Sequence, residues 1–225
     1  MKITLLSHEE YAVEDICITN LLGNRYCIFD FEGTGIIHQT EFITQIGALI
    51  VENNMNRSFN SLVKSPKPIP PAVEELTGIT NDEMVHAPLF SEAYHRFIEF
   101  IGDRILVTQA GYEYDVPLLE KHCQLYRLPF IHNQIIDIKA LFTNIHPEID
   151  DVVSTDFLIQ YYSLDTSDLK RHDALDDCML IGQIFEKVMR EYEDQSIADF
   201  RITEPLKVKR FVIPAMYLEE GMNIE

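Results

Sequence analysis

Two carboxylates close a short apolar run near the start of the chain. The run reads Tyr26-Cys27-Ile28-Phe29-Asp30-Phe31-Glu32 and stops at Gly33-Thr34-Gly35. Alternate side chains of a β-strand share a face, so Asp30 and Glu32 project together while Phe29 and Phe31 turn to a core. Paired carboxylates on a buried face lose hydration and repel each other, a cost that a cation or a shared proton must offset. Oxygen-only ligands suit Mg²⁺ or Mn²⁺. The pattern therefore asks which later acids complete a metal site.

Two later stretches offer them. Asp115 stands where Ala110-Gly111-Tyr112-Glu113-Tyr114 runs into a helix. Viewed alone it reads as an N-cap or a first-turn charge. The string His172-Asp173-Ala174-Leu175-Asp176-Asp177 opens a long helix, and Asp177 lies deeper than a cap needs to. On one helix His172 and Asp177 would diverge by about 140°. They share a site only if His172 sits on the preceding loop and reaches around the helix end.

The elements that must position these groups are legible from periodicity. Strands are predicted at about 26–32, 42–51 and 59–64, joined by short connections as an antiparallel meander. The prolines of 65–71 forbid a central strand or a helix interior. A short helix follows at 72–77, ended by Gly78. Helix 88–100, strand 105–108, helix 115–128, strand 135–138 and helices 154–162 and 173–192 come next. In the last helix Leu175, Met179, Ile181 and Ile184 are the expected core contacts. That order suits a mixed sheet flanked by helices. Residues 1–23 receive no element, and the region after about 195 reads as an extended tail.

At 225 residues the chain suits one domain. No apolar run approaches the roughly 20 residues of a membrane span. The first ten residues, Met1 to Glu10, turn acidic too soon for a signal peptide. Cys17, Cys27, Cys123 and Cys178 have neither CxxC nor zinc spacing and read as reduced thiols of a cytoplasmic protein. The net charge of −19 disfavours long duplexes, which are held by basic surfaces. The basic clusters noted are Lys207, Lys209 and Arg210, and Lys170 with Arg171. A polyanion would be held over a short contact, with divalent metals supplying much of the attraction.

In conjunction, Phe29-Asp30-Phe31-Glu32-Gly33-Thr34-Gly35, Asp115 and His172-Asp173-Ala174-Leu175-Asp176-Asp177 resemble the DEDDh family of 3′–5′ exonucleases. Ile46-Gly47-Ala48 is similar to the family's second strand. Pro68-Ile69-Pro70-Pro71-Ala72-Val73-Glu74-Glu75-Leu76-Thr77-Gly78-Ile79-Thr80 is similar to a linker typical of it. The resemblance covers about residues 25–192. It implies an α/β, ribonuclease-H-like fold with a mixed five-stranded sheet in the order 3-2-1-4-5. The first three strands would be antiparallel, and the fourth and fifth parallel to the first. Residues 25–194 would form the exonuclease domain, 1–24 an extension and 195–225 a tail packed on the domain.

The resemblance also implies hydrolysis of terminal phosphodiesters of single-stranded DNA or RNA, releasing nucleoside 5′-monophosphates. Asp30, Glu32, Asp115 and Asp177 would hold two Mg²⁺ or Mn²⁺ ions, about 4 Å apart as two-metal sites are. His172 would be the general base, histidine being the side chain that ordinarily titrates nearest neutrality. Backbone amides around Gly33 and Thr34 would position the terminal sugar. Tyr112 and Tyr114 are candidates to stack on the terminal base, with Phe31 turned to the core.

Two departures stand out. The family's second motif often reads His-Asn-Ala-x-Phe-Asp, where this chain has Ala110-Gly111-Tyr112-Glu113-Tyr114-Asp115. The first motif usually carries Thr where this chain has Gly33. Competing readings are a metal phosphodiesterase for dinucleotides or other small substrates, a non-catalytic binding module, and an α/β domain whose acids are caps and surface charges. Expected partners are single-stranded 3′ ends or short oligonucleotides, and a polymerase or RNA-processing factor would be a separate chain. The tail residues Phe211, Val212, Ile213, Met216, Tyr217 and Leu218 would dock on their own domain or, in a homodimer, on a second copy.

Overall fold

The computed structural model describes residues 2–52 and 55–212. The stretch without an expected element holds three short strands, β1 (Lys2–Leu5), β2 (Glu10–Glu14) and β3 (Ile16–Ile18). The main sheet follows. It contains β4 (Tyr26–Gly33), β5 (Ile43–Glu52), β6 (Met55–Leu62), β7 (Ile105–Thr108) and β8 (Ile135–Asp137) in the order β6-β5-β4-β7-β8. β4 pairs antiparallel with β5, and β5 with β6. β7 runs parallel to β4, and β8 parallel to β7. This is the mixed ribonuclease-H-like sheet that the sequence resemblance implies.

Helices α1 (Pro71–Thr77), α2 (Asn81–His86), α3 (Phe90–Ile101), α4 (Asp115–Tyr126), α5 (Ile138–Ile145), α6 (Thr155–Tyr162) and α7 (Ala174–Asp194) flank the sheet. Gly78 closes α1 in a left-handed conformation at φ 76°. Two helices were not anticipated. α2 begins with a reciprocal Thr80–Glu83 capping box, a signal that was readable as Thr-x-x-Glu. α5 begins at Asp137, whose carboxylate accepts the Lys139 N–H at 2.9 Å. That cap ends the expected strand 135–138 one residue early. β6 starts earlier than expected because β5 supplies partners for its polar residues, with Leu49 opposite Ser58 and Val51 opposite Asn56. None of the described helices is long and apolar enough to cross a membrane.

The two faces of β4 divide the molecule's labour. Phe29 and Phe31 pack on Phe97 of α3, with ring centroids 6.4 and 5.9 Å away. Asp30 and Glu32 point the other way, toward the start of α7. On α7 the buried residues include Ala174, Cys178, Ile181, Phe185, Val188 and Tyr192, spaced three or four apart. Of the expected core contacts Ile181 and Ile184 are buried, Leu175 is half-buried and Met179 is exposed. The helix is rotated from the expected stripe, and its first turn is also fixed from outside.

β5 does that fixing. Gly47 lies opposite Asp30, and a Cβ there would overlap the carbonyl of Ala174. Gln45, opposite Glu32 and buried, donates its amide to Asp173 Oδ2 at 3.1 Å. Its Oε1 accepts the Ala174 N–H at 3.1 Å. The helix start is thus pressed against the sheet where the acidic pair emerges.

The terminal regions close on each other. β2 lies between β1 and β10 (Leu206–Lys209), and β3 pairs with β9 (Phe200–Ile202), all antiparallel. Tyr11, Val13, Ile16, Ile18 and Leu21 join the main core. The leading residues therefore have a structural role that local pattern did not announce. Of the tail residues named above, Ile213, Met216, Tyr217 and Leu218 lie outside the described residues.

Replacing Gly47 with Val should force α7 away from β5. We expect a loss of about 1–3 kcal/mol, the usual cost of overpacking a tight contact. A urea melt checks it, and an unchanged midpoint would show that the close approach is dispensable.

Candidate active site

Asp30, Glu32, Asp115, His172 and Asp177 line one cavity of about 360 Å³, together with Arg171 and Tyr114. Each arrives by a different local device. Asp30 and Glu32 are alternate residues of β4. Asp115 is the first residue of α4 and is buried, while the cap position belongs to Tyr114. Its carboxylate accepts the Thr108 hydroxyl at 3.1 Å, so the end of β7 aims it inward.

The three aspartates of the last motif do three separate jobs. Asp173 caps α7, accepting the N–H groups of Leu175 and Asp176. Asp176 accepts the Lys170 N–H at 2.8 Å. Asp177 is buried; it accepts the His172 N–H at 2.8 Å and the Arg171 Nε–H at 2.8 Å. These bonds wrap the loop around the helix end, as the His172–Asp177 spacing required. His172 adopts a left-handed backbone at φ 62°, a conformation that costs about 1–2 kcal/mol outside glycine. One ligand atom from each of Glu32, His172 and Asp177 lies within 4.8 Å of the other two.

Burial and mutual repulsion dominate the electrostatics. Asp30 is pushed well above the usual carboxylate range, by burial first and then by Asp115, Glu32 and Asp177. Glu32 rises to about 8, again through burial, with Asp177 and Asp115 adding to it. Asp115 rises to about 7 through burial, opposed by hydrogen bonds from Thr108 and the Phe31 backbone. Arg171 offsets part of the charge at Asp30 and Glu32. Its guanidinium is shared with Asp156 at 2.9 Å. A set of oxygen donors that resists ionising together fits divalent cations of the Mg²⁺ type.

The expected substrate contacts fare differently. Tyr112 is buried and its hydroxyl donates to the Ile135 carbonyl at 2.7 Å, so its ring is not offered to a base. The Thr34 N–H is spent on the Phe42 carbonyl at 2.9 Å, and its hydroxyl donates to the Glu41 carboxylate. Gly33 and Tyr114 do line the cavity. Tyr114 donates to the Gly35 carbonyl at 2.6 Å, and its hydroxyl stands where a Cβ on residue 33 would be. Gly33 and Tyr114 are therefore coupled: the glycine makes room for the tyrosine hydroxyl.

Sequence reasoning missed several positioning groups. Asp137 accepts the N–H groups of Ala110 and Tyr112, each at 3.0 Å, and so shapes the loop before Asp115. Ala110 is itself left-handed at φ 55°. Glu113 pairs with the buried Lys139. Gln45 carried no readable signal, standing beside Thr44 near the start of a largely apolar strand. Ile36, Val73 and Leu76 supply an apolar wall to the cavity.

Comparison with known proteins agrees with this architecture. The RNase T exonuclease family model matches residues 27–185, and the chain belongs to that exonuclease family, of the DEDDh type. It is 28% identical over 194 residues to DNA polymerase III subunit epsilon of Aquifex aeolicus, covering 85% of this chain and 94% of that protein. It is 25% identical to the PolC-type DNA polymerase III of Caldanaerobacter subterraneus subsp. tengcongensis, covering 78% of this chain but 12% of that much longer protein. Among solved structures, the nuclease domain of 3′hExo bound to rAMP superposes with a TM-score of 0.65 at 21% identity. That alignment covers 81% of this chain and 97% of the domain. Exonuclease X in complex with 5′ overhanging duplex DNA gives 0.59 at 20% identity, covering 75% and 93%. The chain is thus a nuclease-family hydrolase by descent as well as by fold.

Two tests follow from the site. The folded chain retains protons on Asp30, Glu32 and Asp115 that the unfolded chain releases near its ordinary carboxylate pKa of about 4. Raised carboxylates make metal-free stability fall as pH climbs toward the folded values, about 7 for Asp115 and about 8 for Glu32. The buried His122, lowered to about 4, contributes the opposite slope only below its unfolded pKa of about 6.5. Between about pH 6.5 and 8 the melting temperature of the EDTA-treated protein should therefore drop. Asp30→Asn should flatten that drop and melt higher at the upper end; a flat wild-type profile would contradict the assignment. Separately, Gly33→Thr should destabilise the chain, and adding Tyr114→Phe should restore part of the loss. A double-mutant cycle with no coupling would disprove the proposed fit.

Proposed function

We propose that this chain is a divalent-metal-dependent 3′–5′ exonuclease acting on single-stranded nucleic acid ends. The observation that carries the reading is one cavity that collects Asp30, Glu32, Asp115, Asp177 and His172, with burial pushing the first three of these acids toward protonation. Such a set is unfavourable for a binding module to maintain and useful to a metal site. Membership of the exonuclease family supports the same reading.

Asp30, Glu32, Asp115 and Asp177 would hold two Mg²⁺ or Mn²⁺ ions. When bound, such ions supply a more acidic water and compensate charge at the phosphorus. The imidazole of His172 takes the proton of the attacking water. The water oxygen bonds to phosphorus as the bond to the 3′-oxygen breaks; that oxygen takes a proton from solvent to become the 3′-hydroxyl of the shortened strand, and the terminal nucleotide leaves as its 5′-monophosphate. Asp177 holds His172 through the backbone, so the base is oriented by the same residue that holds metal. Ile36, Val73 and Leu76 offer the terminal base an apolar face, with Tyr114 beside them. Of the solved structures of similar fold, one is bound to rAMP and another to duplex DNA with a 5′ overhang, and the reading includes both DNA and RNA ends.

The net charge of −19 favours short substrates over long ones, and a dinucleotide-specific activity is the second reading. The deciding assay uses 5′-labelled single-stranded DNA and RNA and a dinucleotide, with Mg²⁺, Mn²⁺ or EDTA. A metal-dependent ladder shortening from the 3′ end is expected, and Asp30→Ala should abolish it while the protein stays folded. Cleavage confined to the dinucleotide would favour the second reading; near-native activity in Asp30→Ala would sink the metal assignment. His172→Ala should lower kcat by about 100-fold or more with a much smaller change in KM. An unchanged kcat would remove His172 as the base.

A further inference from the structure

The cavity has a wall that the acids and the family motifs do not explain. Arg210 and Phe211, from the segment just after β10, line it. The sequence gives no local reason for a residue near the end of the chain to reach a site built on β4 and α7. The pairing of β10 with β2 brings it there, with Lys209 opposite Glu10. The Arg210 N–H then donates to the Glu9 carbonyl at 2.8 Å. The Phe211 N–H donates to Glu113 Oε2 at 3.2 Å. Glu113 is itself held by the buried Lys139 and lies two residues before Asp115. The segment is therefore clamped to the loop that carries an acid of the site.

One donor of its arginine is unpartnered, and its phenylalanine is exposed. Arg210 Nε is buried and has no hydrogen-bond partner among the described residues. The cavity's other arginine, Arg171, is committed to Asp177 and Asp156. Phe211 is exposed despite its size, at 58% of its surface. An unpartnered buried donor is costly unless something with an acceptor oxygen arrives. In a chain of net charge −19 such a cation at an acidic cavity is suited to a polyanion.

We propose that Arg210 binds a backbone phosphate of the nucleic-acid strand entering the cavity, and that Phe211 stacks on a base beside it. This rests on the exonuclease reading and adds to it a substrate grip supplied by the terminal strands. Arginine suits the role because its planar fork matches phosphate oxygens. An exposed aromatic beside it gives a stacking surface indifferent to base identity. The β1-β2-β10 sheet then positions Arg210 and Phe211 for binding, in addition to packing on the core.

The test is steady-state cleavage of a short single-stranded oligomer with Mn²⁺ at several salt concentrations. Arg210→Gln should raise KM about tenfold, the scale of a lost charge-assisted hydrogen bond. kcat should change far less than KM. The slope of log kcat/KM against log salt should become shallower by about 0.7, one phosphate contact on a single strand. Arg210→Lys should keep the salt slope, and Phe211→Ala should raise KM while leaving the slope unchanged. Arg201→Gln, a surface arginine on β9, is the charge control and should leave both readouts alone. If Arg210→Gln does not fold by circular dichroism, Arg210→Lys and Phe211→Ala carry the decision. Variants matching an active wild-type chain in KM and salt slope overturn this inference alone. A wild-type chain that cleaves neither DNA nor RNA overturns the exonuclease reading and this inference with it.

Discussion

The burial of Asp30 and Glu32 on one face of β4, beside further acids, is the constraint around which the rest is arranged. A central strand with two carboxylates on a half-buried face is a poor choice for stability. The structure accepts it and then adds Asp115 and Asp177 to the same cavity. Arg171 is the nearby counter-charge that softens the result, and burial still lifts the acids toward protonation. The opposite face of β4 supplies the compensation, with Phe29 and Phe31 packed on Phe97.

Holding four acids and a histidine together requires rigid supports that have no chemistry of their own. Gly47 lets α7 approach β5, and Gln45 ties down the first turn of that helix with two hydrogen bonds. Asp137 fixes the loop before Asp115 through two backbone N–H groups. Left-handed residues occur at both edges of the site, His172 and Ala110. Strain of that kind persists where surrounding bonds over-determine the backbone, as the Asp177–His172 and Asp137–Ala110 bonds do here. The Gly33–Tyr114 fit shows the same economy, since one side chain fills the space another would need.

The terminal strands extend this logic over the length of the chain. β2 and β10 pair across nearly the whole sequence and bury Tyr11, Val13 and Val208 in the common core. Loop-closure cost grows only slowly with length, so such a pairing is affordable once the core is formed. Its consequence is that residues just past β10 stand at the acidic cavity rather than on a remote surface.

Much of this was written locally. The alternation of Phe29, Asp30, Phe31 and Glu32 follows from strand periodicity and the break at Gly78 from a helix-ending glycine, while helix periodicity stated only the condition that His172 stand on the loop if it shares a site with Asp177. The meander and the order of strands and helices were legible for the same reason, because neighbouring segments carry their own patterns. Tertiary structure decided what periodicity does not encode. It turned Asp115 from an apparent cap into a buried group of the cavity, withdrew Tyr112 and Thr34 into internal hydrogen bonds, and gave Gln45 its role as a clamp. It rotated α7 so that Met179 faces out, and it joined the first and last strands. Those outcomes depend on which groups meet across large sequence separations. A local pattern fixes which face a side chain takes on its own element, but not what stands opposite that face.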